Sequence, residues 1–345
     1  MKTTSLSHPC ELERQVSDKK NNRRFVATVA ALTKKPSFPA FLILILLIII
    51  NAAIQPNFFT MRSFRSNFMT FTPLILVAIA QGIIILSGSL DLSLGSAISL
   101  FNCFTAFYMT DENGLFIIVV GFVLTVIASG FINGICIGRL RMPALITTFA
   151  TSAIYLGIAM IILPVAGGYV PRSFYTFYKG TALGAVPNSF SILIAGILIW
   201  WIFSRTRAYR YIYAVGSNED GAFASGISTW RIRLTAHMFA SLFIFIAGLC
   251  VLMMTATGEY RTGQSYTLNS VAAVVIGGIA LTGGRGSIAG AMFGALILGI
   301  LNNIIFFSGA SSYLQIFFKG AIIVLALCIG AIPVLIRSKK RLVGV

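Results

Sequence analysis

Ten long apolar runs, separated by short polar or charged stretches, constrain this chain more than any other feature. The first is FPAFLILILLIIINAAI from Phe38. The others cover residues 70–88, 92–109, 114–138, 143–164, 189–204, 234–257, 268–284, 286–308 and 313–336. An α-helix of about 20 apolar residues matches the hydrocarbon thickness of a bilayer, and it satisfies its own backbone there. The expectation is an all-α polytopic membrane protein with about ten transmembrane helices. The 268–284 run is short enough to be re-entrant instead. Composition closes off the other classes. Only 10% of the 345 residues are charged, against roughly 25% in soluble domains. With 57% hydrophobic residues, a disordered chain is excluded as well.

The net charge of +17 would point to nucleic acid in a soluble chain. Here its placement explains it, because Lys and Arg are retained on the cytoplasmic side of short loops. Ten spans starting in the cytoplasm leave Arg62, Arg65, Arg172, Lys179, Arg261 and Lys319 on the far side, and the other twenty of 26 basic residues inside. Both termini are therefore expected in the cytoplasm, with lipid as the surroundings and no nucleic-acid partner. No convincing cleavage site follows the first run, so it reads as an uncleaved helix rather than a signal peptide. The expected organisation is a basic cytoplasmic tail (1–36), a transmembrane domain (37–338) and a short cytoplasmic tail (339–345). Within the domain, 205–233 is the largest cytoplasmic loop and 165–188 the largest external one.

The residues leave little room for catalysis. No Lys follows a Gly, so a P-loop is impossible. The stretch GGRGSIAG (Gly283–Gly290) lacks the strand and acidic residue of a dinucleotide site. There is no HExxH, and the two histidines are His8 and His237. Cys10, Cys103, Cys136, Cys250 and Cys328 have neither disulfide-framework nor zinc spacing. No metal site is expected, and no catalytic residue.

Asp91, in SGSLDLSLGS, stands between two apolar stretches. A carboxylate at membrane depth is costly and suggests function, yet Asp91 could equally serve as an N-cap for the next helix. The surrounding Gly and Ser, Ser93 included, permit a tight turn or broken helix of the kind found beside transport sites. The other polar groups in the spans are mainly neutral: Gln81, Asn102, Asn133, Asn302 and Asn303. They suit a neutral, hydrogen-bonding solute, although each can also act as interhelical glue.

Two glycine series recur every fourth residue: Gly130, Gly134, Gly138, and Gly286, Gly290, Gly294. On a helix this spacing makes a flat stripe for close packing, within the chain or between subunits. In the 205–233 loop, Asn218 can cap a short helix with Glu219 and Asp220 at its positive end, and Gly226 can end it. That helix would present Ala222 and Phe223. Two turns are barely stable alone, so it is either a docking element or an ordinary connection.

Four segments resemble, in order, the signatures of bacterial ABC importer permeases of the ribose, xylose, galactose and arabinose type. GSLDLSLGS resembles their GGIDLSVGS, and RMPALITTFAT from Arg141 resembles VPPFIVTLGT. YAVGSNEDGAFASGI from Tyr213 is similar to AIGGNEEAARLSGI, and LTGGRGSIAGAMFGALILGILNN from Leu281 to GGRGSIWGTVIGALILGVLNN. The match runs from about residue 70 to 336. Ser89, Leu90, Leu94 and Ser217 depart from it.

The resemblance implies a permease subunit in the bacterial inner membrane. It further implies cytoplasmic ABC ATPase subunits that bind ATP-Mg, a periplasmic or extracellular solute-binding protein, and a second permease copy. No cofactor falls to this chain. Gly216, Asn218, Glu219, Asp220, Phe223 and Gly226 would form the ATPase-coupling element. Gln81, Asp91, Ser93, Asn102, Asn133, Asn302 and Asn303 are the translocation-pathway candidates. A competing reading is an ion-coupled carrier working without an ATPase; the scarcity of intramembrane carboxylates argues against it. A non-transporting scaffold is a third.

Overall fold

The computed structural model describes residues 38–309 apart from 56, 183 and 185, together with 314, 317, 320, 321 and 324. The expected basic tail, the C-terminal tail and most of the expected last span, 313–336, lie outside the described residues.

Helix α1 (Phe38–Ile54) opens the described chain, followed by α2 (Met61–Leu86) and α3 (Leu94–Tyr108). Next come α4 (Gly114–Thr125), a π-helical stretch (Val126–Ile132) and α5 (Asn133–Gly138), which together make one continuous span. Beyond α6 (Ala144–Ile162) lie the short α7 (Arg172–Lys179) and a two-stranded hairpin, β1 (Thr181–Ala182) with β2 (Val186–Pro187). α8 (Asn188–Ser204) and α9 (Arg207–Ser217) meet at 77°. The short α10 (Glu219–Ala224) leads to α11 (Thr229–Thr255), α12 (Gln264–Ile276) and α13 (Ile288–Phe307).

Among the described residues, α2, the α4–α5 span, α6, α11 and α13 are long and apolar enough to cross a membrane, and the α8–α9 pair, bent by 77°, adds a sixth when it is counted as one span. The chain is thus an all-α polytopic membrane protein. The departures from the expected spans have physical causes. α2 begins nine residues before 70, because Thr60 caps it by accepting the Ser63 N–H and its first turns carry Arg62 and Arg65. A hydropathy window cannot see such polar turns. α3 and α12 are shorter than the runs 92–109 and 268–284. They have 15 and 13 residues, about 20 Å of helix against a hydrocarbon core of about 30 Å. Each adjoins irregular chain, Ser87–Ser93 before α3 and Gly277–Ser287 after α12.

The core lies around α2, whose residues from Phe71 to Leu86 are all buried. A helix apolar on every side belongs in such a position. α11, α13, α12 and α8 pack around it, while α1 lies outside on α13 through Ala40, Leu44 and Asn51. α3 packs between α6 and α11. The half-helices α3 and α12 meet near their N-termini. Gly263 N–H donates to Ser99 Oγ at 3.1 Å, and Gly95 N–H to Thr267 Oγ1 at 3.0 Å.

Candidate functional site

Two helix ends and one irregular connection converge at one place in the bundle. Gly284 N–H donates to the Leu86 carbonyl at 3.1 Å, and Ser217 Oγ donates to the Gly284 carbonyl at 3.1 Å. Tyr213 OH donates to the Gly286 carbonyl at 3.2 Å. Gly216 sits against the same Leu86 carbonyl; a Cβ there would overlap that oxygen and lie 2.7 Å from Gly284 N. Gly284 itself has φ +63°, in the left-handed region that only glycine enters without cost. The corner therefore ties the end of α2, the end of α9 and the α12–α13 connection by backbone contacts that a larger side chain would separate.

The short helix α10 springs from this corner. Asn218 Oδ1 accepts the Gly221 N–H at 3.0 Å, and Glu219 and Asp220 occupy the positive first turn. Ser225 closes the helix and Gly226 follows with φ +79°. Capping and termination are as the loop sequence implied. The expectation that Ala222 and Phe223 are both presented needs correction. Ala222 is buried, whereas Phe223 is 67% exposed. One apolar residue holds α10 to the bundle, and the aromatic ring is offered outward. Arg233 Nη2, from the first turns of α11, donates to Glu219 Oε2 at 2.6 Å.

Asp91 lies in the Ser87–Ser93 break and is fully buried. Its Oδ1 accepts from Ser93 N–H at 2.7 Å and Ser93 Oγ at 2.6 Å. Asn133 Nδ2 donates to Asp91 Oδ2 at 3.2 Å and to Ser93 Oγ at 2.8 Å. Asp91 is not the N-cap residue itself. That position is Ser93, with α3 starting at Leu94, and Asp91 folds the approach to it. From α6, Thr148 Oγ1 donates to the Leu90 carbonyl and accepts the Leu92 N–H at 3.0 Å. The break is thus an ordered crossing. Its chain direction is fixed by one carboxylate, one amide and two hydroxyls, those of Ser93 and Thr148.

His237 completes this cluster, and sequence reasoning passed it over. Its Nδ1 stands 3.6 Å from Asp91 Oδ2, both side chains are fully buried, and neither imidazole nitrogen has a hydrogen-bond partner. The available signal was that His237 is the one histidine in the apolar runs and Asp91 the one acid in the short gap between two of them. Nothing in the sequence said that they meet.

Glycine makes that meeting possible. Gly130, Gly134 and Gly138 face α11, at Met238 and Ser241, at Leu234 and His237, and at Trp230. The first stripe therefore packs within the chain. The second is not a single helical stripe. Gly286 has φ +117° and precedes the N-cap Ser287, packing on Ile279, while Gly290 lies against the backbone of Gly277, just past α12, and Gly294 against that of Ala273 within it.

The remaining pathway candidates are dispersed. Gln81 and Asn102 are buried, with side-chain N and O atoms that have no partner. Asn302 is exposed, and Asn303 Nδ2 donates to Asn67 Oδ1 at 2.9 Å. At the opposite end of the molecule, Tyr169 OH donates to both oxygens of Asp111, at 2.7 and 2.8 Å. That hydrogen bond to a carboxylate raises the phenol above its ordinary pKa.

The family described as "Branched-chain amino acid transport system / permease component" matches residues 65–327. The chain belongs to this permease family. The ribose import permease protein of Escherichia coli strain K12 is 31% identical over 326 residues, 93% of this chain and 98% of that protein. The ribose import permease protein of Bacillus subtilis strain 168 is 30% identical over 296 residues, covering 83% and 90%. The D-allose transport system permease protein of Escherichia coli strain K12 is 28% identical over 296 residues, covering 85% and 90%. No solved structure matches the chain. This permease is a multi-pass inner-membrane protein and a transport subunit, and the matched region contains the break, the glycine corner and α10 alike.

Proposed function

We infer that this permease is the membrane-spanning subunit of an ATP-driven ABC importer that carries a neutral monosaccharide or similar small polar solute into the cytoplasm. The family match over residues 65–327 carries the reading. Relatives named for ribose, D-allose and autoinducer 2 import support the solute class. The buried polar groups agree, since Gln81, Asn102 and Asn133 are neutral hydrogen-bonding amides.

On this reading ten spans carry both termini in the cytoplasm, with tails 1–36 and 339–345 flanking the domain 37–338. ATP-Mg is bound and hydrolysed on separate cytoplasmic ABC ATPase subunits. A periplasmic or extracellular binding protein delivers solute, and a second permease copy, identical or related, completes the pathway. The coupling element is Gly216, Asn218, Glu219, Asp220, Phe223 and Gly226, with Phe223 as the apolar knob that enters the ATPase. Gln81, Asp91, Ser93, Asn102, Asn133, Asn302 and Asn303 remain the pathway candidates. Asp91, Ser93 and Asn133 serve it by holding the Ser87–Ser93 break in shape.

The corner gives the mechanism its leverage. Closure of the ATPases displaces α10, and α9 is continuous with it through Asn218. Because Gly216 and Ser217 abut Leu86 and Gly284, that displacement reaches the ends of α2 and the α12–α13 connection together. Only contacts that differ between outward and inward states can drive the shift, and a corner of backbone contacts has few intermediate packings. Affinity purification of the tagged permease from its native membrane tests the assignment. ATPase subunits in matched stoichiometry are expected; a permease that is recovered and functional without them would overturn it.

A further inference from the structure

Arg233 and His237 stand one turn apart on α11, about 6 Å along its axis. Each faces an acid on a different element. Arg233 holds Glu219 at 2.6 Å, and His237 lies 3.6 Å from Asp91. Among the described residues these are the only two pairings of a basic with an acidic side chain.

Neither acid is fully taken up by its own segment. Asn218 already caps α10 and Asp220 also sits in its first turn, so Glu219 is free to bind Arg233. Asp91 folds the break through Ser93 and still presents Oδ2 to Asn133 and His237. The imidazole has no hydrogen bond at either nitrogen, and a fully buried polar ring in that state is costly unless the facing carboxylate favours it. Arg233 also overlooks the start of the same break, its Nη2 standing 3.9 Å from where a Gly88 Cβ would be. α11 has 27 residues and no proline, and it packs along α2, α3 and the α4–α5 span, so its first turns move as one body.

Resting on the importer reading, we propose that α11 is a rod in which Arg233 and His237 are positioning residues that tie displacement of α10 to the Ser87–Ser93 break. The Ser225–Ser228 turn joins α10 to α11 and bonds back to the Phe223 and Ala222 carbonyls, and the Glu219–Arg233 pair is the side-chain link that bears on the angle of α10 to α11. Arg233 sets that angle, and His237 sets the position of the rod on the break.

Hydrogen exchange of the purified full-length permease in lipid nanodiscs tests the rod without ATPase or solute. Arg233→Gln is expected to speed exchange at Ala222–Ser225 at least fivefold, and the swap Glu219→Arg with Arg233→Glu to restore protection. His237→Leu is expected to speed exchange both at Leu92–Gly95 and at Ala222–Ser225, with α7 unchanged. His237→Gln serves as the milder variant should His237→Leu fail to fold. A His237 variant that loosens Leu92–Gly95 but leaves α10 at the wild-type rate overturns the proposal, as does a folded swap that restores nothing. In the complex with its ATPase, Arg233→Gln is expected to lose solute-stimulated turnover and Arg233→Lys to recover most of it. A wild-type complex without stimulation would count against the importer, while the exchange result would still decide the rod.

Discussion

The backbone N–H of Gly284 reaches the carbonyl of Leu86 at 3.1 Å, although the two residues are nearly two hundred positions apart in the sequence. Gly216 closes on the same oxygen, and this makes the corner sensitive to one methyl group. Gly216→Ala forces the three segments apart, at a cost of about 1–3 kcal/mol typical of overpacking. The expected result is a lower thermal midpoint in detergent and a loss of ATPase stimulation. An unchanged midpoint would show that the corner yields.

Gly226 contrasts with it. Its surroundings are open, and only its φ of +79° resists a side chain. Gly226→Ala should cost about 1–2 kcal/mol through the left-handed backbone, confined to the end of α10. Global unfolding should be nearly unaffected while ATPase coupling falls several-fold. Equal global destabilisation by Gly226→Ala and Gly216→Ala would contradict the distinction.

Phe223 is exposed and packs on little of its own chain. Phe223→Ala is expected to change the unfolding free energy by no more than about 0.5 kcal/mol, the usual range for surface changes. Solute-stimulated ATP turnover in the assembled complex should drop tenfold or more. A variant that couples normally would remove Phe223 from the docking knob.

Asp91 separates charge from shape. Asp91→Leu leaves the buried Ser93 and Asn133 donors without their carboxylate acceptor, at about 1–3 kcal/mol for each group left unsatisfied. Asp91→Asn keeps an acceptor for the Ser93 N–H and should cost clearly less. Denaturant titration of the two variants checks the order, and equal losses would mean that hydrogen bonding at Ser93 contributes nothing.

Much of this was legible in the sequence, because the period and length of apolar runs record what a bilayer requires. The α10 cap was readable for a local reason. Asn218, Glu219 and Gly226 act within a few residues of one another. What could not be read depends on distant approach. Asp91 and His237 are 146 positions apart, and the Gly130–Gly138 stripe lets α11 pack close enough for them to meet. The second glycine series has a period of four that suggests a helix, but Gly286 is a turn residue at φ +117°. Likewise, the run 268–284 merged α12 with the irregular chain after it, since Gly, Ile and Ala are apolar in either conformation.

On the importer reading, transport by this permease draws its energy from a partner ATPase. Uptake of labelled monosaccharides into proteoliposomes holding the permease, its co-purified ATPase and the binding protein measures this directly. Uptake that requires internal ATP, and that vanishes when the ATPase is omitted or an ion gradient replaces ATP, is the expected result. Uptake by the permease alone under an ion gradient would contradict it.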